Sequence, residues 1–92
     1  MTQNTTGNQN ISQLRFELAK PLLILKGAKG FLACGYINVE TANKTGEACA
    51  IVTGVNNYDD MAATTISAVS NEALNLGVKV GDSGQSALDK FA

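Results

Sequence analysis

Cys34 has the most chemistry open to it of any residue in this chain. It stands in Ala33-Cys34-Gly35-Tyr36, on an expected strand and beside a glycine that exposes backbone. An expected helix begins shortly afterwards at Val39, and a helix amino end stabilises a thiolate. A thiol in this setting is either a nucleophile or a small buried hydrophobe, and the second role is the commoner one for free cysteine. Folding can bring three groups from other segments towards it: the Asn43 amide, the Thr53 hydroxyl and the backbone turn at Gly54. Cys34, Asn43, Thr53 and Gly54 are therefore the candidate ligand-binding residues. They suit a small-molecule pocket, and no catalytic role is assigned to any of them.

Other patterns have structural explanations. The chain contains no histidine, which removes a Ser-His-Asp triad, a Cys-His pair and every imidazole-ligated metal site. Gly81-Asp82-Ser83-Gly84 matches the nucleophile motif of chymotrypsin-like proteases, but no base accompanies it, and Ser83 reads as a helix cap. Cys49 lies inside an apolar strand and is expected only to pack. The two cysteines form no CxxC pair and supply too few ligands for structural zinc. Neither a metal nor a cofactor is expected. Gly27 to Gly30, flanked by Lys26 and Lys29, resembles an anion-binding loop, but a hairpin turn explains it more simply. Asp59 and Asp60 point about 100° apart on a helix, which suits a first helical turn better than a shared proton.

Charge and composition narrow the partners. The net charge of −1 argues against nucleic acid, whose binding rests on neutralising several phosphates. Residues 1–45 carry a net +3 and residues 46–92 a net −4, an asymmetry that either orients one subunit on another or forms an ordinary solvated surface. No apolar run approaches the ~20 residues needed to span a bilayer, and residues 1–10 lack the layout of a signal peptide. A cytoplasmic protein with reduced thiols and no membrane partner is expected. With 45% hydrophobic and 16% charged residues, part of the apolar surface of so short a chain is expected to meet another subunit.

The elements that must position the candidate site follow from periodicity. Residues 1–10, polar after Met1, are expected to be a disordered tail preceding a single α+β domain over 11–92. Leu14 to Leu18 alternates as a half-buried strand. Leu22 to Leu25 and Phe31 to Ile37 are expected to flank the Gly27–Gly30 turn, which makes an antiparallel meander with two apolar faces. One face needs helices and the other a partner. Asn38 is expected to cap a helix over Val39 to Thr45 that ends at Gly46. Ala48 to Val55 reads as a strand covered on both faces, and Asn57 with Asp60 opens a helix through Ala63. Thr64 to Val69 fits either a strand or part of a longer helix, and its run of β-branched residues favours the strand. Ser70 caps a helix ending at Gly77, and Asp82 or Ser83 starts a last helix to Phe91. The expected order is β-β-β-α-β-α-β-α-α.

Three stretches carry a family resemblance. Gly30, Cys34, Gly35 and Asn43 match a Gly-x-x-x-Cys-Gly core followed by an asparagine. Thr53, Gly54 and Val55 match a strand-ending turn, with Asp60 after it. Leu76, Gly77, Val78, Gly81, Gly84, Ala87 and Leu88 match a C-terminal glycine pattern. Over roughly residues 22–91 the chain resembles the YunC-like family, a small bacterial and archaeal domain of unknown function. The resemblance implies an α+β fold whose N-terminal β region mediates homo-oligomerisation, to a tetramer, and it implies no activity. Two functions follow as expectations: an oligomeric small-molecule-binding protein, with enzymatic activity left open, or a structural or regulatory interaction module without activity.

Overall fold

The computed structural model describes residues 11–92 in full and the backbone of residues 3–5. The chain forms a mixed α+β fold. Its strands are β1 (Gln3–Thr5), β2 (Ser12–Phe16), β3 (Leu22–Lys26), β4 (Phe31–Ala33), β5 (Cys49–Ile51) and β6 (Ala68–Val69). Helix α1 (Val39–Thr45) joins β4 to β5, α2 (Tyr58–Ala63) joins β5 to β6, and α3 (Asn71–Asn75) and α4 (Gly84–Phe91) complete the chain. From β2 onwards the order agrees with the expected β-β-β-α-β-α-β-α-α. The expected disordered tail lies outside the described residues except at Gln3–Thr5, which pair antiparallel with β2.

The six strands lie side by side in chain order. Every neighbouring pair is antiparallel except β4 and β5, which run parallel with Leu32 opposite Ala50. A parallel pair needs a crossover, and α1 supplies it. The carboxyl ends of β4 and β5 therefore emerge together, and the antiparallel β3 begins at that same end.

Side-chain alternation sends the sheet's apolar residues to two faces. On one face Leu23, Leu25, Leu32 and Ala50 join Met61 of α2, Ala73 of α3, and Ala87, Leu88 and Phe91 of α4 in the main core. On the other face Ala33, Cys49 and Ile51 pack beneath Ala42 of α1. All three residues of β5 are buried, as its unbroken apolar run requires. Helix α1 covers only the β5 side of its face. Leu14, Leu22 and Ile24 are half-buried, with Leu22 packed against the main core and Ile24 against the second cluster, and Phe16 is 53% exposed, so among the described residues the meander is only partly covered.

Local capping accounts for the short helices. They run from 5 to 8 residues, below the length at which a helix is stable alone, so caps and packing must hold them. Asn38 Oδ1 accepts the Thr41 N–H at 3.0 Å, and Gly46 ends α1 in the left-handed region at φ 77°. Asn57 Oδ1 accepts the Asp60 N–H at 2.7 Å, while Asp60 Oδ2 accepts the Asn56 N–H at 3.0 Å. This reciprocal cap gives Asp60 a structural role. Ser70 is fully buried. Its Oγ donates to the Glu47 carbonyl and accepts the N–H groups of Cys49 and Ala73, so one hydroxyl caps α3 and ties it to β5.

Boundaries differ from expectation in several places: of the strand expected over Ala48 to Val55 only Cys49–Ile51 pairs, and the helix expected to reach Gly77 ends at Asn75. The first meander strand ends at Phe16 rather than Leu18, because Phe16 pairs with Leu22 and residues 17–21 make the connection into Pro21. The strand expected over Phe31 to Ile37 stops at Ala33, where a turn closes with the Ile37 N–H on the Cys34 carbonyl at 3.1 Å. The stretch from Thr64 to Val69 is not helical, but only Ala68–Val69 forms a strand. Thr65 instead bridges Ser83, and the Ile66 N–H bonds to the Asp82 carbonyl at 2.8 Å.

Candidate functional site

A cleft of about 250 Å³ opens at the end of the sheet where β4 and β5 finish. Ligands of open α/β sheets bind beyond the carboxyl ends of parallel strands, because the loops there diverge and leave space. Two such loops meet here. Cys34, Gly35 and Tyr36 follow β4, Gly54 and Val55 follow β5, and Lys20 and Pro21 lead into β3. A second, more open cleft of about 380 Å³ shares Gly54 and Val55 and adds Asp60, Ala63 and Thr64.

Of the four residues nominated from sequence, Cys34 and Gly54 line the first cleft. Thr53 is exposed next to it, its Cγ2 3.5 Å from where a Cβ on Gly35 would lie. Gly54 has φ 72°, a conformation that side chains with a Cβ rarely adopt, so the turn needs glycine for its own geometry. Asn43 is not brought to the cleft. It sits on α1, and its Oδ1 accepts the Asn71 N–H at 2.8 Å, which joins α1 to α3. Lys20, Pro21 and Tyr36 were not singled out from sequence. No local motif marks them, and only the pairing of β2, β3 and β4 carries them to the Cys34 end of the sheet.

The Cys34 thiol is 4% exposed and borders the cleft. Its Sγ accepts the Leu23 N–H at 3.3 Å while the Cys34 N–H bonds the Leu23 carbonyl at 3.1 Å, so the side chain has a defined orientation. The Tyr36 hydroxyl accepts the Lys20 N–H at 3.3 Å, which joins two of the lining segments. Cys49 is different. Burial, and next the nearby Glu47 carboxylate, push its thiol up to about 12. Raised in this way, the group supports the fold below its ordinary value of 9.0, and that support is lost as pH climbs towards about 12. Iodoacetamide at pH ~8 is therefore expected to leave Cys49 unmodified in the folded chain, so that folded Cys34→Ser gains no added mass, as read by intact-mass spectrometry. Alkylation of folded Cys49 at that pH would contradict this assignment.

The remaining sequence motifs are structural. Gly27 to Gly30 closes the β3–β4 hairpin, with the Gly27 N–H on the Gly30 carbonyl at 2.8 Å. Ser83 caps α4, its Oγ accepting the Ser86 N–H at 3.1 Å, and Asp82 Oδ2 accepts the Lys79 N–H at 3.0 Å. Among the described residues no cluster of three or more His, Cys, Asp or Glu is placed to hold a metal ion, and no helix is long and apolar enough to cross a membrane.

Comparison with known proteins agrees with this picture of fold without assigned chemistry. Residues 33–91 match the family model described as a domain of unknown function, DUF1805. The crystal structure of a protein of unknown function, TA1206 from Thermoplasma acidophilum, superposes with a TM-score of 0.89 at 35% identity, covering 99% of this chain and 90% of that one. No match is found among curated proteins. The family match begins at Ala33, the last residue of β4, and runs through β5 and its following loop to Phe91; the chain belongs to the DUF1805 family, a domain of unknown function.

Proposed function

We propose that this protein is a self-assembling small-molecule-binding protein whose ligand occupies the cleft bordered by Cys34, Gly54 and, at its margin, Thr53. The observation that carries this reading is the position of the cleft. It lies beyond the carboxyl ends of the two parallel strands, and it is lined by a thiol and two glycine turns from separate loops. Its volume falls just below the range usual for small-molecule pockets, which suits a metabolite-sized ligand. The same geometry is compatible with an enzyme, but among the described residues no carboxylate lines the cleft beside Cys34 to act as its base.

Assembly belongs to the same proposal. The meander's outer face carries Leu14, Phe16, Leu22 and Ile24 in register, with Phe16 and Leu18 53% and 45% exposed. An apolar sheet face of this kind packs well against a second copy of itself. The YunC-like resemblance supports a tetramer built through this region. A second reading, an interaction module without a ligand, is favoured by the same exposed face if the cleft serves no purpose.

Native mass spectrometry of gently purified protein, beside Phe16→Glu, tests both parts. A wild-type multimer retaining a stoichiometric small mass, with Phe16→Glu shifted to monomer, is the expected result. A multimer that carries no extra mass, and whose melting temperature stays unmoved across a metabolite panel, supports the interaction module instead. A wild-type monomer overturns the assembly proposal.

A further inference from the structure

Backbone donors without an acceptor border the cleft. Among the described residues, the N–H groups of Gly35, Tyr36, Gly54 and Val55 have no acceptor. Their neighbours Cys34, Ile37 and Val52 donate to the carbonyls of Leu23, Cys34 and Ala33. Four unclaimed backbone donors thus border one small space, contributed by two loops. Val55 is only 5% exposed, and a backbone N–H in such a position ordinarily has a partner.

Charge points the same way. Among the described residues Lys20 is the one charged residue lining the cleft, and its ammonium forms no ion pair or hydrogen bond with them. No carboxylate among the described residues lines the cleft to compete for it. The nearest acid in the adjoining cleft, Asp60, already accepts the Asn56 N–H. Arg15 is engaged by Glu17 and by the Asn56 carbonyl. The remaining walls, Pro21, the Tyr36 ring and the Val55 side chain, are apolar.

Unpaired backbone N–H groups from consecutive loop residues bind anionic oxygen, and a lone cation beside them selects negative charge over a neutral amide. We infer that the cleft takes a small monocarboxylate with a compact apolar body, the carboxylate facing the loop amides and Lys20 and the body resting on Pro21, Tyr36 and Val55. One cation matches one negative charge, which favours a carboxylate over a phosphate dianion. The inference rests on the ligand-binding reading above and narrows it to a chemical class.

Backbone amide shifts in ¹H–¹⁵N NMR spectra of the full chain test it. Benzoate, phenylacetate and isovalerate are titrated, each beside its neutral amide, into wild type and Lys20→Gln. The expected result is that at least one carboxylate moves the Gly35, Tyr36, Gly54 and Val55 resonances. Its amide should bind about tenfold more weakly, and Lys20→Gln should lose up to about fivefold in affinity, as suits an exposed cation. Equal binding of acid and amide at these resonances, or undiminished carboxylate binding in Lys20→Gln, overturns the carboxylate class while leaving a binding cleft in place. If no probe moves these four resonances, the carboxylate class and the ligand-binding cleft both fall.

Discussion

Gly84→Ala is expected to lower the melting temperature by more than ten degrees, although alanine is the better helix former. Gly84 opens α4, and a Cβ built there would lie 1.8 Å from the Met61 carbonyl oxygen and 3.2 Å from the Ala62 Cα. Both obstacles are backbone of α2, so no rotamer change can relieve them. The two helices must separate, and with them the packing of the fully buried Met61. Overpacking of this kind costs roughly 1–3 kcal/mol and more where backbone must move. In a domain of this size each kcal/mol is worth about 4–8 °C. Propensity alone predicts the opposite sign, a gain of up to about 1 kcal/mol. Gly35→Ala is the control. Its Cβ would meet only Thr53 Cγ2 at 3.5 Å, an ordinary contact, and its melting temperature should stay within a few degrees of wild type. Thermal unfolding followed by circular dichroism decides the matter, and an unchanged or raised midpoint for Gly84→Ala would remove close α2–α4 contact as an explanation for this glycine.

Phe91→Ala is expected to cost about 3–5 kcal/mol, the range for emptying a buried phenylalanine site. Total stability for a chain this long is only about 5–14 kcal/mol. Phe91 is fully buried at the end of α4, and its seat is made by glycine. A Cβ on Gly30 would lie 2.6 Å from Phe91 Cδ1, and one on Gly27 would lie 2.2 Å from the Phe91 carbonyl oxygen. That oxygen also accepts the Lys29 N–H at 2.8 Å, so the β3–β4 turn caps the end of α4 while the ring plugs the core beneath it. Collapse around the vacancy is limited, because Gly30 has no side chain to move into it and the turn is held by backbone bonds. Urea unfolding with an unchanged slope and a much lower midpoint is the expected signature. A loss below ~1.5 kcal/mol would show that the hairpin and the rest of the core do not depend on this contact.

Both variants bear on what the glycine-rich motifs are for. From the chain alone, Gly27–Gly30 resembled an anion-binding loop and Gly81–Gly84 a protease nucleophile motif. The contacts at Gly27, Gly30 and Gly84 show protein backbone and Phe91 filling the space that glycine leaves. A short glycine pattern reports that something comes close, and only the fold identifies what does.

The amino-acid sequence by itself determined the element order from β2 onwards, the caps and the double burial of β5. These rest on local rules: alternation in the meander, an Asn or Ser at the start of each helix, Gly46 after α1, and an unbroken apolar run around Cys49. It also pointed to Cys34 and Gly54 as neighbours. Tertiary structure decided the rest, because the rest depends on pairing between distant residues. The parallel match of Leu32 with Ala50 sends the β4 and β5 loops to one end of the sheet. The antiparallel match of Ile24 with Ala33 brings Lys20 and Pro21 to that end as well. Asn43, on the crossover helix, is committed instead to Asn71. Periodicity reports which face a residue occupies, but register, which places residues along a strand relative to its neighbour, is set by contacts that no local stretch of chain contains.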